Sequence, residues 1–134
     1  MQTLACIRIF PKKGSAPIST EKLDDWTERF ALFGRASWCD AASLTIFVES
    51  HGKLGLYGGA EGWGETLLGF AEGMGLEVAI VVGFTPERLQ ALAKPGVRVL
   101  TLGSRSAERA RVLALPKPTA TSYADLGPLW ARIA

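Results

Sequence analysis

The chain of 134 residues contains one histidine and two cysteines, and this scarcity excludes several kinds of site. A metal centre needs clustered thiolate or imidazole ligands, and no such spacing occurs. His51 stands beside Gly52 in a predicted turn, without the partners that would make it a catalytic base. Cys6 and Cys39 lie in apolar runs, so we interpret both as reduced and structural, which fits a cytoplasmic protein. We therefore expect no metal and no cofactor.

The sequence also lacks an uninterrupted apolar run of membrane-spanning length, and its start has none of the features of a signal peptide. The formal net charge of +2 is too small to indicate a nucleic-acid or membrane partner by itself. With 48% apolar and 21% charged residues, the composition is that of a globular protein, and the length is that of one domain. These features predict a single cytoplasmic domain with no membrane partner.

Residues 43–83 contain the clearest pattern in the chain. Leu44, Ile46 and Val48 recur at every second position, which predicts a strand with one buried face. The pair His51-Gly52 predicts a turn, and residues 53–57 a second, shorter strand. Two glycines then precede a helix over 63–74, and the apolar run 78–82 predicts a strand covered on both faces.

The flanking segments predict further elements. Residues 3–10 read as a first strand, and 36–39 as another short one. Ser19 or Thr20 caps a helix that Gly34 ends. Thr85-Pro86 begins a later helix, residues 97–102 form a strand, and Ser104 or Ser106 begins a helix to about Leu113. A short terminal helix is predicted over 125–133. One core is expected to contain Trp26, Phe30, Trp63, Leu67, Ile80 and Val82.

This element order predicts an α+β fold: a ferredoxin-like, mostly antiparallel sheet with helices on one face. A short helical tail over 104–134 follows a core over 1–103. A small doubly wound α/β domain is the alternative, favoured by the last third of the chain but not by the central hairpin.

The glycine-rich corner at 55–65 is compatible with two interpretations. Glycines before a helix can present backbone N–H groups to a phosphate. The segment nevertheless matches neither the P-loop nor the dinucleotide-binding pattern, and Glu61 in the first turn would oppose an anion. A tight structural corner is therefore the preferred interpretation.

Residues 43–102 contain a series of motifs whose order resembles that in the palm of Y-family translesion DNA polymerases. The likeness is closest to the catalytically silent ImuB-like branch. The likeness is carried by Val48-Glu49 at a strand end, by Leu56-Tyr57-Gly58-Gly59, by the helix that follows, by Val81-Val82-Gly83 and by Lys94-Pro95-Gly96. The first strand, TLACIRIF, is also similar to that branch. The resemblance implies a palm-type fold and a role in DNA damage tolerance.

The departures from the family pattern concern catalysis. The resemblance implies three carboxylates that hold two metal ions, and the corresponding positions here are Arg8, Leu44 and Thr45. A cationic or apolar side chain cannot hold Mg²⁺. Only residues 11–18 stand where the fingers would be inserted, and the DNA-gripping little finger and clamp-binding tail have no counterpart. The resemblance therefore implies an inactive palm rather than an enzyme, and no convergent acid, base and nucleophile suggests another enzyme class.

The resemblance implies protein partners: a RecA-like ImuA protein or an error-prone polymerase. The alternative function is a generic ferredoxin-like interaction or dimerisation domain unrelated to repair, with a second copy of the chain as its partner. We predict that Arg8, Thr45 and Phe47 lie on an open sheet face used for binding. The competing interpretation is that the terminal segment, with Tyr123, Leu126 and Trp130, covers that face.

The late helix also carries a cluster of arginines, among them Arg105 and Arg109. A solvated helix face is one interpretation, and weak contact with DNA is the other.

Overall fold

The computed structural model describes residues 3–50, 52 and 54–115. Within them the chain forms five strands, four α-helices and two short 3₁₀ turns. The strands are β1 (Leu4–Ile9), β2 (Ala36–Asp40), β3 (Thr45–Glu49), β4 (Val78–Gly83) and β5 (Val99–Thr101). The helices are α1 (Thr20–Phe30), α2 (Ala60–Gly73), α3 (Pro86–Leu92) and α4 (Arg105–Leu113).

The sheet has the order β2-β3-β1-β4-β5. The pairs β2–β3, β3–β1 and β1–β4 are antiparallel, and with α1 and α2 these four strands form the β-α-β-β-α-β unit of a ferredoxin-like fold. β5 joins β4 in parallel after the crossover through α3. The predicted α+β class with a mostly antiparallel sheet is confirmed.

The sheet has a hydrophobic cluster on each face, because alternate residues of every central strand point to opposite sides. On β1, Ala5 and Ile7 face the cluster built with α1 and α2. Leu4 and Cys6 face the other cluster, which α3 and α4 complete with Leu89 and Val112. Helices therefore lie on both faces, and the prediction of helices on one face is wrong. The parallel crossover from β4 to β5 is the cause, since it carries α3 to the second face.

The first cluster contains the predicted core. Phe30, Trp63, Leu67, Ile80 and Val82 are buried together, with Trp26 packed partly buried at their margin. The indole Nε1 of Trp63 donates to the carbonyl oxygen of Phe33 at 2.8 Å, so the ring's one polar atom is satisfied. This part of the prediction is confirmed.

The prediction of a second strand in the central hairpin, over residues 53–57, is wrong. Residues Leu54–Tyr57 form a 3₁₀ turn instead of a strand. Gly58 and Gly59 follow with φ angles of 79° and 102°, the left-handed region that glycine enters without strain. The glycine-rich corner thus turns the chain into α2 without a hairpin.

Helix starts follow the predicted capping residues. The side chain of Ser19 accepts a hydrogen bond from the backbone of Lys22 at the start of α1, and Ser104 does the same for Ala107 at the start of α4. Thr85 occupies the N-cap of α3, with Pro86 at its first position. α4 packs against α3 and contributes Val112 to the second cluster. The predicted terminal helix over 125–133 lies outside the described residues.

Candidate functional site

The three positions that the resemblance assigns to metal ligands lie together at one end of the sheet. Arg8 on β1 is directly opposite Thr45 on β3, and Leu44 immediately precedes Thr45. Leu44 has a φ of 52°, which is uncommon for a residue with a branched side chain. Its side chain packs against the first cluster. Arg8 and Thr45 belong to the opposite face, towards α3.

A hydrogen-bonded network occupies the space around Thr45. Ser43 Oγ lies 2.9 Å from Thr45 Oγ1 and 3.0 Å from Asp40 Oδ2. Gln90 of α3 donates to Asp40 Oδ2 at 3.2 Å and also contacts the Ser43 hydroxyl. The side chains at the turn between β2 and β3 are thereby tied to the helix above the sheet.

The charge of Asp40 is stabilised within this network. Partial burial alone would raise the pKa of its carboxyl, but hydrogen bonds from Gln90, Ser43 and the backbone N–H of Ala42 outweigh burial. The net effect is a pKa below the usual value, so Asp40 is ionised at neutral pH. The Asp40 carboxylate therefore has a structural role as an acceptor of these hydrogen bonds. It carries no proton that could be donated in acid catalysis at neutral pH.

Arg8 is also engaged within the fold. Its Nη1 donates to the carbonyl oxygen of Ala93 at 3.0 Å, and its guanidinium lies 5.5 Å from the centre of the Phe10 ring. Ala93 is the C-cap of α3, where unpaired carbonyls carry partial negative charge. Arg8 therefore stabilises the end of α3 where the resemblance would have an acidic metal ligand.

The predicted open face is closed. Thr45 is fully buried and Phe47 is 4% exposed, because α3 covers this side of the sheet and Trp38 stacks on the Phe47 ring at 5.5 Å. The prediction that Thr45 and Phe47 lie on an exposed face is therefore wrong, whereas Arg8 is partly exposed. Among the described residues the covering element is α3 in the middle of the chain, whose position the sequence pattern alone did not indicate. The competing prediction, a cover that includes Tyr123, Leu126 and Trp130, lies outside the described residues.

A buried carboxylate that sequence reasoning missed connects α4 to α3. Glu108 is fully buried, and its Oε2 accepts from the backbone N–H groups of Phe84 and Thr85 at 2.6 and 3.2 Å. Its Oε1 lies 3.5 Å from Arg88 Nη1. The one signal in the sequence is a lone acid within an arginine-rich helix.

Asp40, Ser43 and Gln90 were missed too, although Asp40-Ala41-Ala42-Ser43 is a typical Asx-turn composition.

The predicted arginine cluster and the edge of the sheet are both accessible. The side chains of Arg105 and Arg109 are exposed on α4, one helical turn apart. Trp38 is 41% exposed on β2, which is an edge strand of the sheet. An edge strand presents unpaired backbone groups that can pair with another chain.

The described residues contain no group of three or more histidine, cysteine or acidic side chains that could hold a metal ion. Over the same residues, no helix is both long and apolar enough to cross a membrane.

No protein-family model matches this chain, and neither a curated protein nor a solved structure matches it significantly.

Proposed function

We propose that this chain is a non-catalytic module of the ImuB-like, Y-family palm type, which acts in DNA damage tolerance by binding other proteins. The proposal rests on the residues that stand at the positions to which the resemblance assigns metal ligands. Arg8, Leu44 and Thr45 replace the carboxylates, and a helix held by Arg8 and Gln90 covers the sheet there. A sheet face without these carboxylates and covered by a helix favours a binding role over two-metal catalysis.

The ferredoxin-like order of β2, β3, β1 and β4 supports the same proposal, because a palm of this type requires it. Such a fold hosts many unrelated functions, so the residues named above carry more weight than the architecture. The partners that the resemblance suggests are a RecA-like ImuA protein and an error-prone polymerase.

Co-expression with these two candidate partners from the same genome tests the proposal. We expect a complex that survives size-exclusion chromatography with light scattering, and no primer extension with Mg²⁺ or Mn²⁺ above a control without protein. Extension activity that co-purifies with the native chain would contradict the non-catalytic assignment. Failure to bind either partner would contradict the assigned role.

A second candidate function is a dimerisation module unrelated to repair, and the exposed Trp38 on edge strand β2 favours it. Pairing of two β2 edges would extend the sheet and bury both indoles. Sedimentation of the native chain against Trp38→Ser tests this idea. Leu56→Ser is the matched control, since Leu56 is 78% exposed on a different element. Self-association that disappears only in Trp38→Ser would favour dimerisation.

A further inference from the structure

A cavity of about 220 Å³ opens beside the start of α1, on the opposite side of the sheet from the closed face. The segment after β1, the first turns of α1 and the turn before β4 enclose it. Ile9, Ile18, Trp26 and Leu76 provide apolar walls that continue into the first hydrophobic cluster. We call it the α1 cavity.

Three charged side chains surround this apolar interior. Lys12 and Lys22 line the α1 cavity and are exposed, and Glu77 lies on the wall before β4. Among the described residues, none of the three takes part in an ion pair within the chain. The rim thus carries two free ammonium groups and one carboxylate, a net positive charge beside an apolar pocket.

The loop that forms one wall is constrained by its sequence. Pro11 and Pro17 each fix a backbone φ angle, and the Ser15 backbone N–H donates to the Lys12 carbonyl at 3.1 Å. Gly14 adopts a φ of 81° within this turn. A constrained wall lowers the entropy that is lost when a ligand enters, which favours a binding site over a collapsed crevice.

We propose that the α1 cavity binds a short peptide segment of a partner protein, with one large apolar side chain inserted and an acidic residue beside it. Its size decides between classes of ligand. Pockets for whole small molecules typically hold about 300–1,000 Å³, whereas this one accommodates a single aromatic side chain. Aromatic anchors in pockets dominate the energy of many protein interfaces. The two free ammonium groups select acidic neighbours by charge complementarity.

This inference deepens the proposed function, because it assigns protein binding to one place on the chain. The two can fail separately. Partner capture without peptide binding would overturn the α1 cavity as the site while leaving the module's role intact. Peptide binding without capture of either candidate partner would support the α1 cavity as a peptide site and overturn the proposed role of the module.

NMR titration of the full chain with N-acetyl-Asp-Trp-Asp-amide tests the proposal. We expect chemical-shift changes concentrated at Ile18, Leu76 and the Trp26 indole N–H. The same peptide with alanine in place of tryptophan, or lysines in place of the acids, should cause much smaller changes. Shifts confined to other surfaces, or no saturable shift at millimolar peptide, would overturn the proposal.

Charge variants separate specific binding from general attraction. Lys12→Ala with Lys22→Ala should weaken binding by about fivefold, since two exposed ion pairs with the peptide can no longer form, and Glu77→Gln should strengthen it by about twofold. Arg105→Ala with Arg109→Ala removes the same charge from α4 and should leave the affinity unchanged. Equal decreases of affinity in the two double variants would contradict the assigned site.

The chain's own terminal segment is the competing occupant. If Trp130→Ser shifts the resonances of Ile18 and Leu76 in the absence of peptide, the α1 cavity holds the chain itself, and the proposal of a partner peptide is overturned. Unchanged resonances, together with unchanged peptide affinity, support an external ligand.

Discussion

Among the described residues, Trp63 is the largest side chain that is completely buried, and its single polar atom donates to the Phe33 carbonyl. Trp63→Ala should therefore lower the free energy of unfolding by about 3–5 kcal/mol, measured by urea denaturation. Trp63→Phe is the matched control. It keeps an aromatic ring in the core and loses the indole hydrogen bond and only part of the side-chain volume. A shift under about 1 kcal/mol for Trp63→Ala would show that the surrounding core rearranges around the gap.

Cys6 gives a prediction for alkaline pH. Burial raises the pKa of its thiol from 9.0 to about 12, with a smaller opposing effect of Arg8. The thiol ionises more readily in the unfolded chain, so its contribution to stability is complete below about pH 9 and is lost as pH rises from 9 towards 12.

The free energy of unfolding should therefore fall over this range more steeply in the native chain than in Cys6→Ala, which has no thiol at this position. Parallel pH profiles of the two proteins would contradict the assignment. Thiol labelling at neutral pH should modify the partly exposed Cys39 first, and Cys6 only on unfolding.

At the scale of elements, a buried carboxylate reinforces the apolar packing of α4 on the rest of the fold. Glu108→Ala would leave the N–H groups of Phe84 and Thr85 without an acceptor and Arg88 without its partner. Breaking a buried pair from one side typically costs about 3–5 kcal/mol. Glu108→Gln should cost less, since its amide oxygen still accepts from the backbone. Equal urea midpoints for native chain and Glu108→Ala would show that α4 docks without this contact.

The position of α3 determines what the second sheet face can do. Because α3 and Trp38 bury Phe47, the double variant Arg8→Ala with Phe47→Ser should unfold more easily, by at least about 3–5 kcal/mol. Circular dichroism in urea measures the change, and Arg8→Ala alone, which removes one hydrogen bond to Ala93, should cost less. A folded double variant of near-native stability would restore the view of this face as a binding surface.

At the scale of the whole molecule, the net charge is only +2, and the exposed side of α4 carries Arg105, Arg109 and Arg111. Any binding of DNA through Arg105 and Arg109 should be weak and sensitive to salt, because these side chains would neutralise phosphates. Replacing both arginines by alanine should reduce the slope of log affinity against log salt by about 0.9 for each phosphate that is no longer neutralised. Fluorescence anisotropy with a labelled duplex measures this slope. An unchanged slope would leave α4 as a solvated helix face.

Local patterns were sufficient for most of the elements. The alternation of Ile46 and Val48, the apolar run of β4 and the capping residues Ser19 and Ser104 act over a few neighbouring residues, so they can be read directly from the chain. Leu54–Tyr57 was misread as a strand because a short apolar run is compatible with more than one backbone conformation, and the glycines beside it favour a turn.

Residue patterns were therefore enough to predict the α+β class, the core around Trp63, and the lack of carboxylates at positions 8, 44 and 45. Three features depend on long-range packing instead: α3 lies on the second face, Gln90 reaches Asp40 across the sheet, and Glu108 is buried. The last two contacts join residues 50 and 24 positions apart, and each depends on the direction of the crossover between β4 and β5. No local spacing specifies that α3 packs on the second face, because its contacts there join residues that are far apart in the chain.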